Sequence, residues 1–295
     1  SYDSDSNGFV NKYKDIITNQ LETNNLRGLK AVLKSVLDKR VSTDVIAFLF
    51  SLASNKEIKK EKVEINFAKM LADDNRGKYV VILFYVAIVY HIAKLMKAKG
   101  FDMPRHMTFS GNGSKVLNIL STNDATLVRL TKLIFEEIYA QSYSIDGLDI
   151  IRPANSKEST CKGGIILTPF QSQDYGEIKD MKTILIGTDN EKFADVHMTY
   201  NDVTEADLDS VVDVIKEYIE FTFKLDKKFS FYDNFDVDRS IMNKVKDLCY
   251  RDIRTYLENG LAIKKSEIAQ DGADDNLEET LFFYPLVGII NAVVR

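Results

Sequence analysis

Residues 107–120, MTFSGNGSKVLNIL, are the stretch of sequence from which we predict the fold. The first four residues are short and apolar-leaning, which is typical of the end of a buried parallel strand. Gly111 and Gly113 permit positive φ angles and let a ligand approach the backbone closely, and Ser114 is a suitable N-cap for a following helix. The pattern therefore predicts a strand, a glycine turn and a helix whose free N–H groups favour an anionic ligand.

The spacing within this stretch excludes the best-known phosphate and nucleophile motifs. No glycine lies five residues before Gly113, so the G-x-x-x-x-G-K-[ST] loop is absent although Lys115 is close by. The dinucleotide fingerprint requires a third glycine where Val116 stands, and the residues around Ser110 do not form G-x-S-x-G. An ordinary turn that binds no ligand therefore stays open beside the phosphate-binding interpretation.

Two segments resemble the actin-like ATPase superfamily, which contains heat-shock chaperone ATPases, actin and sugar kinases. Residues 107–120 are similar to its adenosine-binding segment, in which an apolar strand runs into Gly-Gly-Ser-x-Arg and a helix. Residues 155–166, NSKESTCKGGII, are similar to the later chaperone-type segment Asn-Pro-x-Glu-Ala-x-Ala-x-Gly-Ala-Ala. The resemblance implies an α/β fold: a ribonuclease H-like, actin-type ATPase half-domain with added helices at both ends.

The resemblance also implies a nucleotide site for ATP or ADP, with Mg²⁺ held mainly by parts of the parent protein outside this chain. Lys115 falls on the arginine that lies along the adenine, but lysine lacks the flat guanidinium that stacks best. Asn112 and Gly113 depart from the family's glycine and serine at their positions. The residues that this resemblance assigns to the site are Gly111, Asn112, Gly113, Ser114, Lys115, Glu158 and Gly163.

Two functions follow from these observations. The first is the adenosine-side, nucleotide-binding portion of a chaperone-like ATPase. We expect such a chain to be a fragment of a longer protein and catalytically inactive alone, because it contains no D-x-G-x-[TS] phosphate segment. The alternative is a non-catalytic scaffold or protein-interaction module that keeps the superfamily fold and binds a partner protein through its helical ends. The departures at Asn112, Gly113 and Lys157 favour the alternative.

Composition limits the classes of partner. The net charge is −5, and acidic and basic residues are mixed along the chain, so we expect no nucleic-acid partner. Cys161 and Cys249 are far apart and form no C-x-x-C motif, which favours a reducing, cytoplasmic setting. The three histidines have no zinc-site spacing, and we assign no metal.

The chain divides into three predicted parts: a helical segment over 1–75, an α/β nucleotide-cleft half-domain over 76–200, and a helical segment over 201–295. The apolar run 79–90 predicts one long buried helix that stops at Gly100. We expect no membrane span there, since spanning takes about 20 apolar residues and this run is short and rich in tyrosine.

Further elements follow from periodicity and capping signals. The pattern predicts helices over 125–141, from an N-cap at Thr204 to about 225, over 239–260, and over 277–294 with an interruption at Pro285. It predicts strands over 148–152, 182–187 and 194–200. The aromatic residues of the loop 226–238 are expected to be packing anchors: Phe229, Phe231, Tyr232 and Phe235.

Overall fold

The structure is a computed structural model. It describes residues 58–60, 63–65, 75–98, 100–110, 112–121, 123–144, 147–152, 199–271 and 280–294, and the statements below concern these residues. The predicted strand 182–187, most of the predicted strand 194–200 and most of the predicted N-terminal helical segment lie outside them.

Helices make up 73% of the described residues. Two short sheets accompany them, an antiparallel pair β1–β2 and a parallel pair β3–β4. In chain order the elements are β1 (Ile58–Lys60), β2 (Val63–Ile65), α1 (Asn75–Ala98), β3 (His106–Thr108), a 3₁₀ helix (Asn112–Ile119), α2 (Asp124–Tyr139), β4 (Asp149–Ile151), α3 (Glu205–Phe229), α4 (Phe231–Phe235), α5 (Arg239–Cys249), α6 (Ile253–Asp271) and α7 (Phe283–Val294).

The predicted ribonuclease H-like, actin-type α/β fold is wrong. A domain of that class needs a sheet broad enough to form a layer that helices cover. Here the parallel sheet has two strands of three residues each, and the helices pack mainly on one another. The local strand–turn–helix order around Gly111 was interpreted as part of a larger sheet, and the described residues do not build that sheet.

Helix α1 is the centre of the core and confirms the predicted buried helix. Its side chains contact the 3₁₀ helix, α2, α3 and α7, and Ile82 and Val86 are fully buried. The helix ends at Ala98. Gly100 then has φ +74°, and the N–H groups of Gly100 and Phe101 donate to the carbonyls of Lys97 and Met96. This is the Schellman arrangement, which requires a left-handed backbone conformation at Gly100, and glycine adopts that conformation without strain.

Residues Gly77–Ala98 form the one described helix that is long and apolar enough to cross a membrane. Of its most apolar window, 61% is buried inside the fold. Neighbouring helices cover this surface, and their contacts account for its apolar character.

Strands β3 and β4 pair in parallel, with Met107 opposite Ile150. The connection between them passes through the 3₁₀ helix and α2. The predicted helix over 125–141 is confirmed as α2, which Asn123 caps by accepting the N–H of Ala125 at 2.9 Å. The predicted strand over 148–152 is confirmed as β4.

The predicted α-helix after an N-cap at Ser114 is wrong. A 3₁₀ helix begins at Asn112, and Ser114 is its third residue. The buried side chains are Val116, Leu117, Ile119 and Leu120. Val116 and Ile119 are three residues apart, as are Leu117 and Leu120, and residues at this spacing lie on the same face of a 3₁₀ helix. This helix lies against α1.

Helix α3 begins where the sequence predicts, with a capping box between Thr204 and Asp207. The predicted continuous helix 239–260 is wrong: α5 ends at Cys249, and Asp252 has φ +56° before α6 starts. Gly260 lies inside α6, where a missing Cβ leaves room for the ring of Tyr284.

Pro285 does not interrupt the last helix as predicted. It is the third residue of α7, in the first turn, where the missing proline N–H has no intrahelical acceptor to lose.

The aromatic residues near the end of α3 act mainly as packing anchors. Phe229, Phe231 and Phe235 are buried, which confirms the prediction for these three. Tyr232 is 49% exposed instead, and the guanidinium of Arg239 lies 4.7 Å from its ring centroid. The hydrophobic core includes residues before and after position 200; the division into three parts stays a prediction.

Candidate functional site

The predicted site residues lie only partly within the described structure. Gly111, Glu158 and Gly163 are outside the described residues. Asn112, Gly113, Ser114 and Lys115 form the start of the 3₁₀ helix, directly after β3. The described site residues are therefore contiguous, and they lie where the chain leaves the carboxyl end of a parallel strand.

The two parallel strands stay together up to this end. The N–H of Phe109 donates to the carbonyl of Ile151 at 3.0 Å, one residue beyond the β3–β4 ladder. Ser110 and Arg152 follow these partners, so the chain leaves both strands at the same edge. In open α/β proteins, ligands bind outside the carboxyl ends of parallel strands. Residues 112–115, the start of the 3₁₀ helix, follow this edge of the two-stranded sheet.

Arg152 links the elements that meet at this edge. Its Nη1 donates to Asp124 Oδ1 at 2.8 Å, and its Nη2 donates to Asn118 Oδ1. Asn118 belongs to the 3₁₀ helix, and Asp124 is the first residue of α2. The Arg152 side chain is 18% exposed, whereas that of Asp124 is 47% exposed. A guanidinium has five N–H donors, so this pairing leaves it further capacity for an anion.

The N-terminus of α2 is already satisfied by nearby side chains. Asn123 Oδ1 accepts the N–H of Ala125, and the Asp124 carboxylate stands in the first turn, where the helix dipole favours negative charge. The cationic group described at this edge is Arg152. An anionic ligand that paired with this guanidinium would lie next to the first turn of α2, where Asp124 now stands.

A second surface is an open groove of about 590 Å³ between the carboxyl-terminal halves of α1 and α2 and the middle of α3. Its apolar lining includes Tyr90 and Phe221, whose ring centroids are 4.9 Å apart, and Ile138. Lys97 Nζ donates to the Ile138 carbonyl at 2.7 Å. The groove therefore combines an aromatic floor with polar walls.

Ion pairs cross between the walls of this groove. Lys94 and Glu217 lie 3.8 Å apart, and Lys224 and Glu137 lie 3.2 Å apart. A hydrogen bond from Lys228, assisted by Lys224, lowers the pKa of Glu137. Lysines and glutamates are equally represented in the lining, so the groove has no strong preference for one sign of charge.

The most strongly shifted pKa values belong to groups inside the helical core. Burial raises the pKa of Tyr79 and Tyr218 and, for the Cys249 thiol, raises the pKa to about 12. Burial lowers the pKa of His91 to about 4. A thiol with so high a pKa is a poor nucleophile at neutral pH. These shifts report desolvation, and they do not define a catalytic centre.

No group of three or more His, Cys, Asp or Glu residues in the described part of the chain is arranged to hold a metal ion. Sequence reasoning missed the Asn118–Asp124–Arg152 cluster. Arg152 ends a predicted strand, which is the one local signal for its position. Its partners are 28 and 34 residues away in sequence, and no spacing rule connects them.

Comparison of the chain with protein-family models, curated proteins and solved structures finds no match. The resemblance to actin-like ATPases therefore rests on the two short segments 107–120 and 155–166. A fold or a short motif does not determine function, which depends on the chemistry of the site itself.

Proposed function

We propose that this chain binds an adenine nucleotide, ATP or ADP, at the carboxyl edge of the β3–β4 pair. The observation that supports this most directly is where the chain leaves β3: it does so beside the end of the parallel strand β4, which Arg152 directly follows. The proposal depends on this edge and the resemblance of the turn. It does not require an actin-type fold.

The role of the edge is binding, without hydrolysis by this chain alone. Gly113 and its neighbours provide backbone N–H groups at the start of the 3₁₀ helix, and Lys115 is the residue that the resemblance assigns to the base. Among the described residues, the carboxylate at this edge is Asp124, and it is held by Arg152.

Amide NMR during titration with ADP and Mg²⁺ tests the proposal. We expect weak, saturable shifts centred on residues 110–118 and on Arg152. Lys115→Glu should weaken binding by about 1–3 kcal/mol, because it replaces an attractive contact to a charged ligand with a repulsive one. Lys265→Glu is the control, since Lys265 is an exposed lysine on α6, outside the proposed site.

Shifts that fail to saturate, or that centre on another surface, would contradict nucleotide binding at this edge. Equal affinity of the wild type and Lys115→Glu would remove Lys115 from the site. A submicromolar affinity would contradict the view that the chain carries the adenosine side alone.

A second candidate function is protein interaction through the groove between α1, α2 and α3. The groove has an apolar floor of Tyr90, Ile138 and Phe221 between walls of paired charges. Such a surface suits an amphipathic helical segment of a partner. The apolar side of such a segment would cover the floor, and its charged flanks would face the lysines and glutamates of the walls.

Selection from a displayed library of amphipathic helical peptides tests this second function. Peptides that bind the groove should lose affinity for Phe221→Ala and retain it for Phe223→Ala. Phe223 is a matched control: it is partly buried on the same helix, and it faces Lys246 instead of the groove. Equal binding by the two variants would show that the selected peptides bind elsewhere.

A further inference from the structure

We infer that Arg152 binds a phosphate of the ligand and that Asp124 is the partner that the ligand displaces. This inference rests on the proposed function, because it concerns the same edge of the β3–β4 pair. Arg152 would be the group that recognises the anion; it lies outside the glycine turn and is not among the residues that the resemblance assigns to the site.

The position of Arg152 supports this role. It follows Ile151, the residue whose carbonyl accepts the N–H of Phe109, so its backbone lies beside the start of the turn. Its guanidinium donates to Asn118, the seventh of the eight residues of the 3₁₀ helix that begins at Asn112. Arginine's planar N–H groups match phosphate oxygens in pairs, and this makes it the side chain best suited to a phosphate.

Exchange of Asp124 for a phosphate keeps the guanidinium paired in both states. Arg152 is mostly buried and would be costly to leave without a partner. Asp124 is about half exposed, so its carboxylate turns to water when a phosphate replaces it. It then remains in the first turn of α2, where the helix dipole favours its charge.

This exchange predicts effects of opposite sign on ligand affinity. Arg152→Gln removes the phosphate donor and should weaken ADP binding about tenfold, the usual cost of one charged hydrogen bond. Asp124→Asn removes the competitor and should tighten ADP binding by up to about fivefold, since a partly exposed ion pair no longer has to be broken. Both changes remove the same ion pair, so stability should move in the same direction in both variants.

The experiment measures affinities of the wild type, Arg152→Gln, Asp124→Asn and Arg254→Gln for ADP and for adenosine. Arg254 is the control: it pairs with carboxylates of α3 and α6, away from the β3–β4 edge. We expect Arg152→Gln and Asp124→Asn to change the affinity for ADP and to leave the affinity for adenosine unchanged. Arg254→Gln should change neither affinity. Melting temperatures of all variants separate affinity from folding.

The outcomes distinguish the two proposals. If the wild type binds neither ADP nor adenosine, the proposed function is wrong and this inference is wrong with it. If it binds ADP but Arg152→Gln and Asp124→Asn bind equally well, the inference alone is overturned. Should Arg152→Gln fail to fold, Arg152→Lys, which keeps the charge but loses the paired N–H groups, together with Asp124→Asn carries the same test.

Discussion

The helical core and the β3–β4 edge differ in how far their polar groups are exposed to solvent. In the core, Tyr90, Tyr218 and Phe282 form an aromatic cluster with ring centroids 5.5 to 6.3 Å apart. The buried Tyr218 hydroxyl donates a hydrogen bond to the Leu83 carbonyl at 2.6 Å. At the edge, Arg152 pairs with the carboxylate of Asp124, which is about half exposed to solvent.

The difference shows where a shifted pKa is informative about function. A perturbed pKa marks a functional site only when burial is joined to an accessible reacting position. Here the largest shifts follow from burial in the core, where packing is the role of the side chains. The edge instead brings together Arg152, Asp124 and Asn118, three polar side chains from separate parts of the chain.

The largest expected contrast is between a buried and an exposed apolar residue. Val86→Asp places a carboxylate at the fully buried centre of α1 and should cost several kcal/mol, enough to prevent folding. Ile151→Asp at the edge, where the side chain is 47% exposed, should cost less than about 1 kcal/mol. Circular dichroism and urea unfolding measure both. A folded Val86→Asp variant of unchanged stability would mean that α1 is not the centre of the core.

A second contrast concerns two glycines at the α6–α7 contact. A Cβ on Gly288 would lie 2.5 Å from the Tyr256 Cβ, so Gly288→Ala should destabilise the fold by about 3 kcal/mol through overpacking. A Cβ on Gly260 would lie 3.0 Å from the Tyr284 Cβ, a smaller overlap that better helix propensity partly offsets. Gly260→Ala should change stability by less than about 1 kcal/mol. Similar urea midpoints for the two variants would contradict this close packing.

The third prediction concerns pH and the core histidine. The His91 ring stacks on Phe282 with centroids 5.0 Å apart, and burial lowers its pKa from 6.5 to about 4. Between these values the unfolded chain binds a proton that the folded chain excludes, so stability falls as pH decreases through this window. The loss between pH 7 and pH 5 should reach about 2 kcal/mol.

His91→Phe keeps an aromatic ring against Phe282 and should remove this part of the pH dependence. Unfolding free energies of the two proteins, measured between pH 7 and pH 4, check the difference in slope. Parallel curves would show that His91 is not the group that senses the proton.

The smallest contrast compares two buried tyrosine hydroxyls on α1. The Tyr85 hydroxyl lies 2.5 Å from Thr131 Oγ1. Thr131 uses its one hydroxyl proton to donate to the Leu127 carbonyl, so Tyr85 is the donor in the bond between the two hydroxyls. Tyr85→Phe should therefore cost about 1 kcal/mol. The Tyr79 hydroxyl has no hydrogen-bond partner among the described residues, and Tyr79→Phe should be neutral or slightly stabilising. Equal losses in both variants would mean that Tyr79 is satisfied in solution.

Some elements were predictable because their causes are local. The apolar run 79–90 indicates a buried helix, Gly100 marks its end, and Thr204 with Asp207 marks the start of α3. Each of these signals acts within a few residues along the chain. The short strand before Gly111 was predicted for the same reason and is found as β3.

Other features depended on partners that are distant in sequence. Residues 112–119 form a 3₁₀ helix that lies against α1, and among the described residues only β4 pairs with β3. Short strand–turn–helix segments occur in many folds, so the resemblance around Gly111 did not establish the sheet around it. Arg152 meets Asn118 and Asp124 only when β4 pairs with β3 and α2 returns beside it. A contact across 28 or 34 residues leaves no periodic signal in sequence, because it is stabilised by tertiary packing and not by the local preferences of the chain.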